Sequence, residues 1–259
     1  MIGSCAACAT VAYAALSLLA RRYEEPQSLN ADNPYFDRVS PGAREPSEYE
    51  TIGKKAIDKA LSFTGLIALA PVYSAVSLAI KLDDPGPVFF RQKRVGKDGH
   101  YFYLHKFRSM KMSTPHDVPT HMLENPEQYI TRVGKLLRKT SLDELPQIWD
   151  IFRGKMSVIG PRPALWNQED LVAERERYGA NAIMPGLTGL AQISGRDELE
   201  IAEKARLDGE YAVKLREGGM KAFAQDLACF CGTILSVLRH DGVVEGGTGR
   251  IRSAEDAAK

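Results

Sequence analysis

With 259 residues, 44% of them hydrophobic, the chain is long enough to bury one catalytic core together with membrane-contacting segments, and too short for two large domains. Its 34 basic and 33 acidic residues leave a net charge of +1, so bulk charge gives no argument for nucleic acid or for an acidic partner. Any charge argument has to be local.

The segment Ile2 to Ala20 carries no charge and ends at Arg21 and Arg22. It reads either as a weak anchor or as a leader, because its small residues make insertion marginal and its positive charge follows the apolar run. Residues 23–50 are polar and punctuated by Pro26, Pro34, Pro41 and Pro46, which reads as a linker; residues 1–50 thus form one leader-and-linker unit. Cys5 and Cys8, and Cys229 and Cys231, lie in apolar helix-like stretches without histidines nearby. Free, reduced thiols fit that pattern better than a zinc site and suit a cytoplasmic face.

Between Lys59 and Lys81 runs ALSFTGLIALAPVYSAVSLAI, 21 residues without formal charge. As a straight helix it would measure about 31 Å, the thickness of bilayer hydrocarbon. Pro71 in its middle removes a hydrogen bond and predicts a kink. Lys54, Lys55 and Lys59 precede the run, and Lys81, Arg91, Lys93 and Arg94 follow it, so both ends belong on one side. The expectation is a re-entrant membrane helix over residues 51–82, with Ser62, Thr64, Ser74 and Ser77 helping to satisfy its backbone. A buried soluble helix is the competing reading.

Next, DDPGPVFFRQKRVGKDGHYFY predicts a hairpin that delivers Lys106 and Arg108 to alternate positions of a strand, on one face. Arg132, Arg138 and Lys139 lead into TSLDELPQ, where Asp143 and Glu144 stand at a helix start because Pro146 belongs to a first turn. Two readings compete there. In one, Ser141 and Glu144 form a capping box and Asp143 favours the helix dipole. In the other, one carboxylate attacks phosphorus and its neighbour holds a divalent cation, for which Mg2+ is the natural candidate. GKMSVIGPRP then sets Arg162 in a rigid Pro-Arg-Pro turn suited to a phosphate. MPGLTGLAQISGR places Gly186, Gly189, Gly195 and Arg196 in a loop whose backbone N–H groups suit an anion. Toward the end, Phe223, Leu227, Phe230, Ile234 and Leu238 recur at helical steps in a helix expected over 211–239, a stripe that reads as core packing before bilayer contact. A mobile tail is expected over 239–259.

Taken in order, GPVFFRQKRVG, KFRSM, RVGKLLRKTSLDELPQ, GKMSVIGPRP and PGLTGLAQISGR resemble the bacterial sugar transferase family, the monotopic phosphoglycosyl transferases, over residues 54–238. The resemblance implies an α+β, mainly helical catalytic domain over 83–238, held by a re-entrant helix-break-helix anchor on the cytoplasmic face of the bacterial inner membrane. It implies transfer of a sugar-1-phosphate from a UDP-sugar to polyprenyl (undecaprenyl) phosphate through an aspartyl phosphosugar on Asp143, with release of UMP and with Glu144 at Mg2+. Membrane lipid and downstream glycosyltransferases are the implied partners, and nucleic acid is not one. Lys106, Arg108, Arg138, Arg162, Arg196 and Asp208 are the implied substrate-binding residues, with Asp208 matched more loosely. Ala70, Asp150 and Lys155 depart from the common serine, asparagine and acid. The short amino-terminal part marks a small form. A catalytically silent scaffold, or a glycosyltransferase that releases nucleoside diphosphate, remain the other function classes.

Overall fold

The computed structural model describes residues 25–35, 45–114, 126–195 and 199–239, together with Tyr13 and Ser17. The expectations for Ile2 to Ala20, Cys5, Cys8, Arg196 and the tail after Arg239 fall outside the described residues. The architecture is mainly helical with two small sheets, as an α+β domain should be.

Helix α1 (Lys54–Ala68) follows a π-helical turn at Tyr49–Gly53, and α2 (Ala70–Asp83) begins immediately after a break at Leu69. Pro71 sits in the first turn of α2, so the missing N–H falls where no intrahelical partner exists and the bend lands at Leu69, two residues before the expected kink. The two axes differ by 59°. Among the described residues no single helix is long and apolar enough to cross a membrane, whereas this bent pair passes by length and composition together. The Ser62 hydroxyl donates to the carbonyls of Asp58 and Lys59, and that of Ser74 to Ala70, the backbone satisfaction expected of them.

The hairpin is present. Strands β1 (Phe89–Val95) and β2 (Tyr101–Phe107) pair antiparallel, joined by a turn in which Asp98 and Gly99 take positive φ. After α3 (Arg132–Lys139) a 3-10 turn over Leu142–Glu144 leads through Pro146 into α4 (Gln147–Phe152). Then come β3 (Ser157–Ile159), β4 (Ala164–Leu165), α5 (Glu169–Glu176), β5 (Gly186–Thr188) and the short α6 (Leu190–Ile193). Strand β4 joins the free side of β1, while β3 and β5 form a separate parallel pair. The expected single carboxyl-terminal helix is two: α7 (Ile201–Glu217) and α8 (Gly219–Arg239), broken where Gly218 and Gly219 adopt φ of 70° and 56°.

Four apolar clusters hold these elements. One face of the hairpin packs Phe102 and Leu104 on Ile151 and Met156, and Phe107 meets Ile80 and Leu137 beneath the bent helix pair. Tyr211, Ala212 and Leu215 pack with Ile159, Ala222 and Cys229. The stripe on α8 corrects the core-packing expectation: Leu227 and Ile234 are 50% and 47% exposed, and Phe223 and Phe230 are likewise open. The face that α8 buries is instead the one with Ala222, Asp226 and Cys229.

A segment that reads as linker is anchored. The outward N–H groups of Tyr101, Tyr103 and His105, alternate residues on the free edge of β2, are accepted by Asn30 Oδ1, Glu25 Oε1 and Asp150 Oδ2 at 2.7, 3.0 and 2.9 Å. Tyr35 is buried and its hydroxyl donates to the Trp166 carbonyl, while Lys155 pairs with Glu25 at 2.5 Å. Both departures noted in the sequence, Asp150 and Lys155, thus serve this edge. Asn30→Ala would leave the Tyr101 N–H without its acceptor, at a cost of about 1–3 kcal/mol. A fall of several degrees in the thermal unfolding midpoint is expected, and an unchanged midpoint would contradict the edge-capping role.

Candidate active site

The dyad lies at the junction of α3 and α4, where Ser141 takes a left-handed conformation (φ 56°) and starts the 3-10 turn. Its side chain makes no capping bond, and only its carbonyl accepts from the Glu144 N–H, at 3.2 Å. The capping-box reading is therefore overturned. The Glu144 carboxylate turns instead toward two cations: Lys106 Nζ lies 2.9 Å from Oε1, and the Arg162 guanidinium donates to Oε1 at 2.5 Å and to Oε2 at 3.2 Å. Burial pushes this carboxyl up, but Arg162 and Lys106 outweigh burial and hold it well below the ordinary glutamate range.

Asp143 differs from its neighbour. Its closest cation is Lys106, 3.9 Å from Oδ2, too far for a hydrogen bond. Burial raises its carboxyl pKa, and Lys106 opposes this without cancelling it; Arg138 and Arg162 act on it in the same sense as Lys106. Adjacent in sequence, the two carboxylates are thus split, Glu144 fixed as a clamped anion and Asp143 left with its oxygens less engaged.

Lys106 reaches the dyad because the period-2 alternation of β2 aims it away from His105, whose ring bonds Asp150 at 2.7 Å. Arg162 arrives from the Gly160–Pro163 turn, which is held by main chain. Gly186 N–H donates to the Pro161 carbonyl and Gly160 N–H to the Thr188 carbonyl, both at 2.8 Å. Of the glycine-loop N–H groups expected to face an anion, that of Gly186 is thus bonded to the arginine turn instead. Glycine is required by contact: a Cβ on Gly186 would stand 2.1 Å from Gly160 N, and one on Gly189 would stand 2.3 Å from Gly160 O.

Two further expected residues are placed elsewhere. Arg108 lies past the end of β2 and is engaged by Asp84 and by the Pro87 carbonyl at 2.7 Å, so it braces the turn after α2 and does not share Lys106's task. Asp208, fully buried on α7, accepts from Arg175 Nε at 2.8 Å and Nη2 at 2.7 Å, a bond between α7 and α5. Arg138 stays close, acting on Asp143 while its Nε donates to Ser109 Oγ at 3.0 Å.

The site is also tied to the bent helix pair. The Tyr73 hydroxyl on α2 donates to the carbonyl of Leu145, the residue after the dyad, at 2.5 Å. Asp83 Oδ2 accepts from Val133 N at 2.8 Å, joining the end of α2 to α3. Sequence reading did not single out Tyr73, Asp84 or Gln92. Arg94 was read only as part of the basic flank of the uncharged run and not as a site residue, although its spacing from Gln92 was the available signal for a shared strand face. Among the described residues no group of three or more His, Cys, Asp or Glu side chains converges as a metal site, and Cys229 and Cys231 are free thiols. Asp143 and Glu144 nevertheless offer adjacent hard-oxygen donors, the type that Mg2+ combines with substrate phosphates.

The profile of the bacterial sugar transferase family matches residues 49–240, and the chain belongs to that family. It is 34% identical over 201 residues to the exopolysaccharide production protein ExoY of Rhizobium meliloti, covering 70% of this chain and 85% of that one. Against the exopolysaccharide production protein PSS of Rhizobium leguminosarum the identity is 37% over 193 residues, 71% of this chain and 94% of that one. The UDP-glucose:undecaprenyl-phosphate glucose-1-phosphate transferase of Escherichia coli is 42% identical over 160 residues, 58% of this chain but 33% of the relative, so the chain spans about a third of that protein.

Gly186→Ala should push the Arg162 turn away from β5. A destabilisation of about 1–3 kcal/mol, the usual size for overpacking, is expected in denaturant unfolding. A variant as stable as the parent would show that the loop and the turn are not locked together.

Proposed function

We propose that this sugar transferase moves a sugar-1-phosphate from a UDP-sugar to polyprenyl phosphate, undecaprenyl phosphate in a bacterial membrane, through a covalent phosphosugar on Asp143. The observation that carries the reading is the unequal pair: Glu144 clamped by Lys106 and Arg162 beside an Asp143 without a hydrogen-bonded cation. The names of the relatives support the donor and acceptor class.

In the first step an Asp143 oxygen attacks the sugar-proximal phosphorus. The bond from that phosphorus to the oxygen bridging the two phosphates breaks, and its electron pair leaves with UMP. In the second step an oxygen of polyprenyl phosphate attacks the same phosphorus, the Asp143–phosphorus bond breaks, and the carboxylate is regenerated. Lys106 and Arg162 lower the repulsion between the attacking carboxylate and an anionic diphosphate, and Arg138 acts from the side of α3. Bound Mg2+ would neutralise phosphate charge; Asp143, and Glu144 where Lys106 or Arg162 turns from it toward the substrate phosphates, are the residues that would hold it. Arg108 and Asp208 act in this proposal as structural residues, through Asp84 and Arg175.

The bent pair α1–α2 is proposed to enter one leaflet and return, leaving the dyad at the cytoplasmic membrane surface where a lipid-linked acceptor is found. The Tyr73–Leu145 bond gives that placement a physical tie to the site. The open apolar residues of α8 are suited to lipid contact alongside it.

Three outcomes test this reading. Purified protein in nanodiscs, given UDP-sugars, Mg2+ and undecaprenyl phosphate, should release UMP, with Asp143→Asn lower by about 10^3-fold or more, as for loss of a nucleophile. Release of UDP would instead identify a glycosyltransferase, and no release across a broad sugar panel would favour a scaffold. Chelation of divalent ions should stop turnover and re-addition of Mg2+ restore it, whereas chelator-resistant activity would remove the metal from the proposal. Single cysteines at Lys55 and Lys81, in a background lacking the native four, should both be labelled from the cytoplasmic side; labelling from opposite sides would replace the re-entrant pair with a span.

A further inference from the structure

Arg94 is a cation that the reaction outlined above leaves unused. On the β1–β2 ladder it stands opposite Phe102, while Lys106 stands opposite Phe90. Phe102 and Lys106 are four residues apart on one strand, so Arg94, Gln92 and Lys106 share the face of the hairpin that meets the dyad. The Arg94 backbone also pairs with Leu165 of β4, just beyond the Arg162 turn. From there its Nη1 donates to the Pro163 carbonyl at 2.9 Å, and its Nε and Nη2 donate to Gln92 Oε1 at 3.1 and 2.7 Å.

Each of these acceptors is neutral. Among the described residues no carboxylate lies within ion-pair distance of Arg94, although its guanidinium is close enough to Arg162 to be repelled and to Glu144 to be attracted. Burial first and Arg162 second push its pKa down to about 9, which still leaves a cation at neutral pH. Around the dyad the described residues thus bring together the cations of Lys106, Arg138, Arg162 and Arg94 with the carboxylates of Asp143 and Glu144. Half-buried positive charge held by neutral dipoles beside a second arginine is costly without an anion, and a planar fork with spare N–H groups is matched to phosphate oxygens.

We propose that Arg94 is a donor-binding residue, its guanidinium paired with that of Arg162 across the Pro163 turn to receive the diphosphate of the nucleotide sugar. This rests on the proposed function. Gln92 and the Pro163 carbonyl orient the fork, and Glu144 keeps the neighbouring Arg162 from swinging away. Binding at this point acts on the donor before chemistry, so the effect belongs in donor affinity and not in the turnover of bound donor.

The experiment is steady-state kinetics of UMP release by the full chain in nanodiscs for wild type, Arg94→Gln and Arg94→Lys, with thermal midpoints measured in parallel. Arg94→Gln should raise the donor KM about tenfold or more, the size expected for a lost charged hydrogen bond, with kcat and the polyprenyl phosphate KM little changed. Arg94→Lys keeps the charge and loses the fork, so its donor KM should fall between the two. A donor KM unchanged in Arg94→Gln would overturn the proposal, as would equal losses in both variants accompanied by falls in kcat and in thermal midpoint, the mark of a purely structural arginine. Should Arg94→Gln fail to fold, Arg94→Lys decides alone: a donor KM unchanged, or a loss in kcat instead, overturns the assignment. A wild-type protein that releases no UMP fails the proposed function itself, an outcome separate from normal turnover with an Arg94-independent KM.

Discussion

The site depends on one glutamate held between a lysine and an arginine. Taking the Glu144 carboxylate out of water is unfavourable by several kcal/mol unless partners compensate, and Lys106 and Arg162 supply both charge and hydrogen bonds. These partners come from separate places in the chain, one from near the end of a hairpin strand and one from a proline-flanked turn. Their meeting at Glu144 joins the hairpin, the α3–α4 junction and the Gly160–Pro163 turn into one site. Because Asp143 is its sequence neighbour, fixing Glu144 also fixes where the freer carboxylate can stand.

Backbone packing makes that clamp rigid. Gly160, Gly186 and Gly189 approach so closely that no side chain fits between the arginine turn and β5, and two main-chain hydrogen bonds close the contact. On the other side, Gly134 lets α3 lie against Ser109, where a Cβ would come within 2.0 Å of the Ser109 carbonyl oxygen. Tyr73, Asp83 and Asp84 then connect this framework to the bent helix pair. The proposed reaction between a water-soluble donor and a lipid-borne acceptor would need such a site, precise in its charges and fixed relative to the helix pair proposed to enter the membrane.

Much of this was legible in the sequence because it is local. A proline in an uncharged run between basic flanks gave the bent pair, and a Lys-Asp-Gly turn between apolar strands gave the hairpin. The dyad and the arginine turn were visible as ordered motifs, but their meeting was not, since three segments far apart in sequence make the clamp. Ser141 and Glu144 match a capping box by spacing, and only the left-handed backbone at Ser141 and the pull of two cations defeat it. Arg108 was misread as a partner of Lys106 because alternation in a strand says nothing about where the strand ends. The docking of residues 25–35 was hidden because Asn30 and Glu25 satisfy a strand edge with side chains, which leaves no periodic pattern. The stripe on α8 shows the opposite failure: periodicity reveals an apolar face without saying whether protein covers it.

The central claim is that Asp143, freed by the clamp on Glu144, carries the phosphosugar. Intact-protein mass measurement after mixing the enzyme with a UDP-sugar in the absence of polyprenyl phosphate tests it most directly. The account predicts a mass increase equal to one sugar phosphate, located on Asp143 and discharged when polyprenyl phosphate is added. An enzyme that turns over only with both substrates present, and never gains mass on Asp143 under rapid quenching, would contradict it and place the transfer in a single direct step.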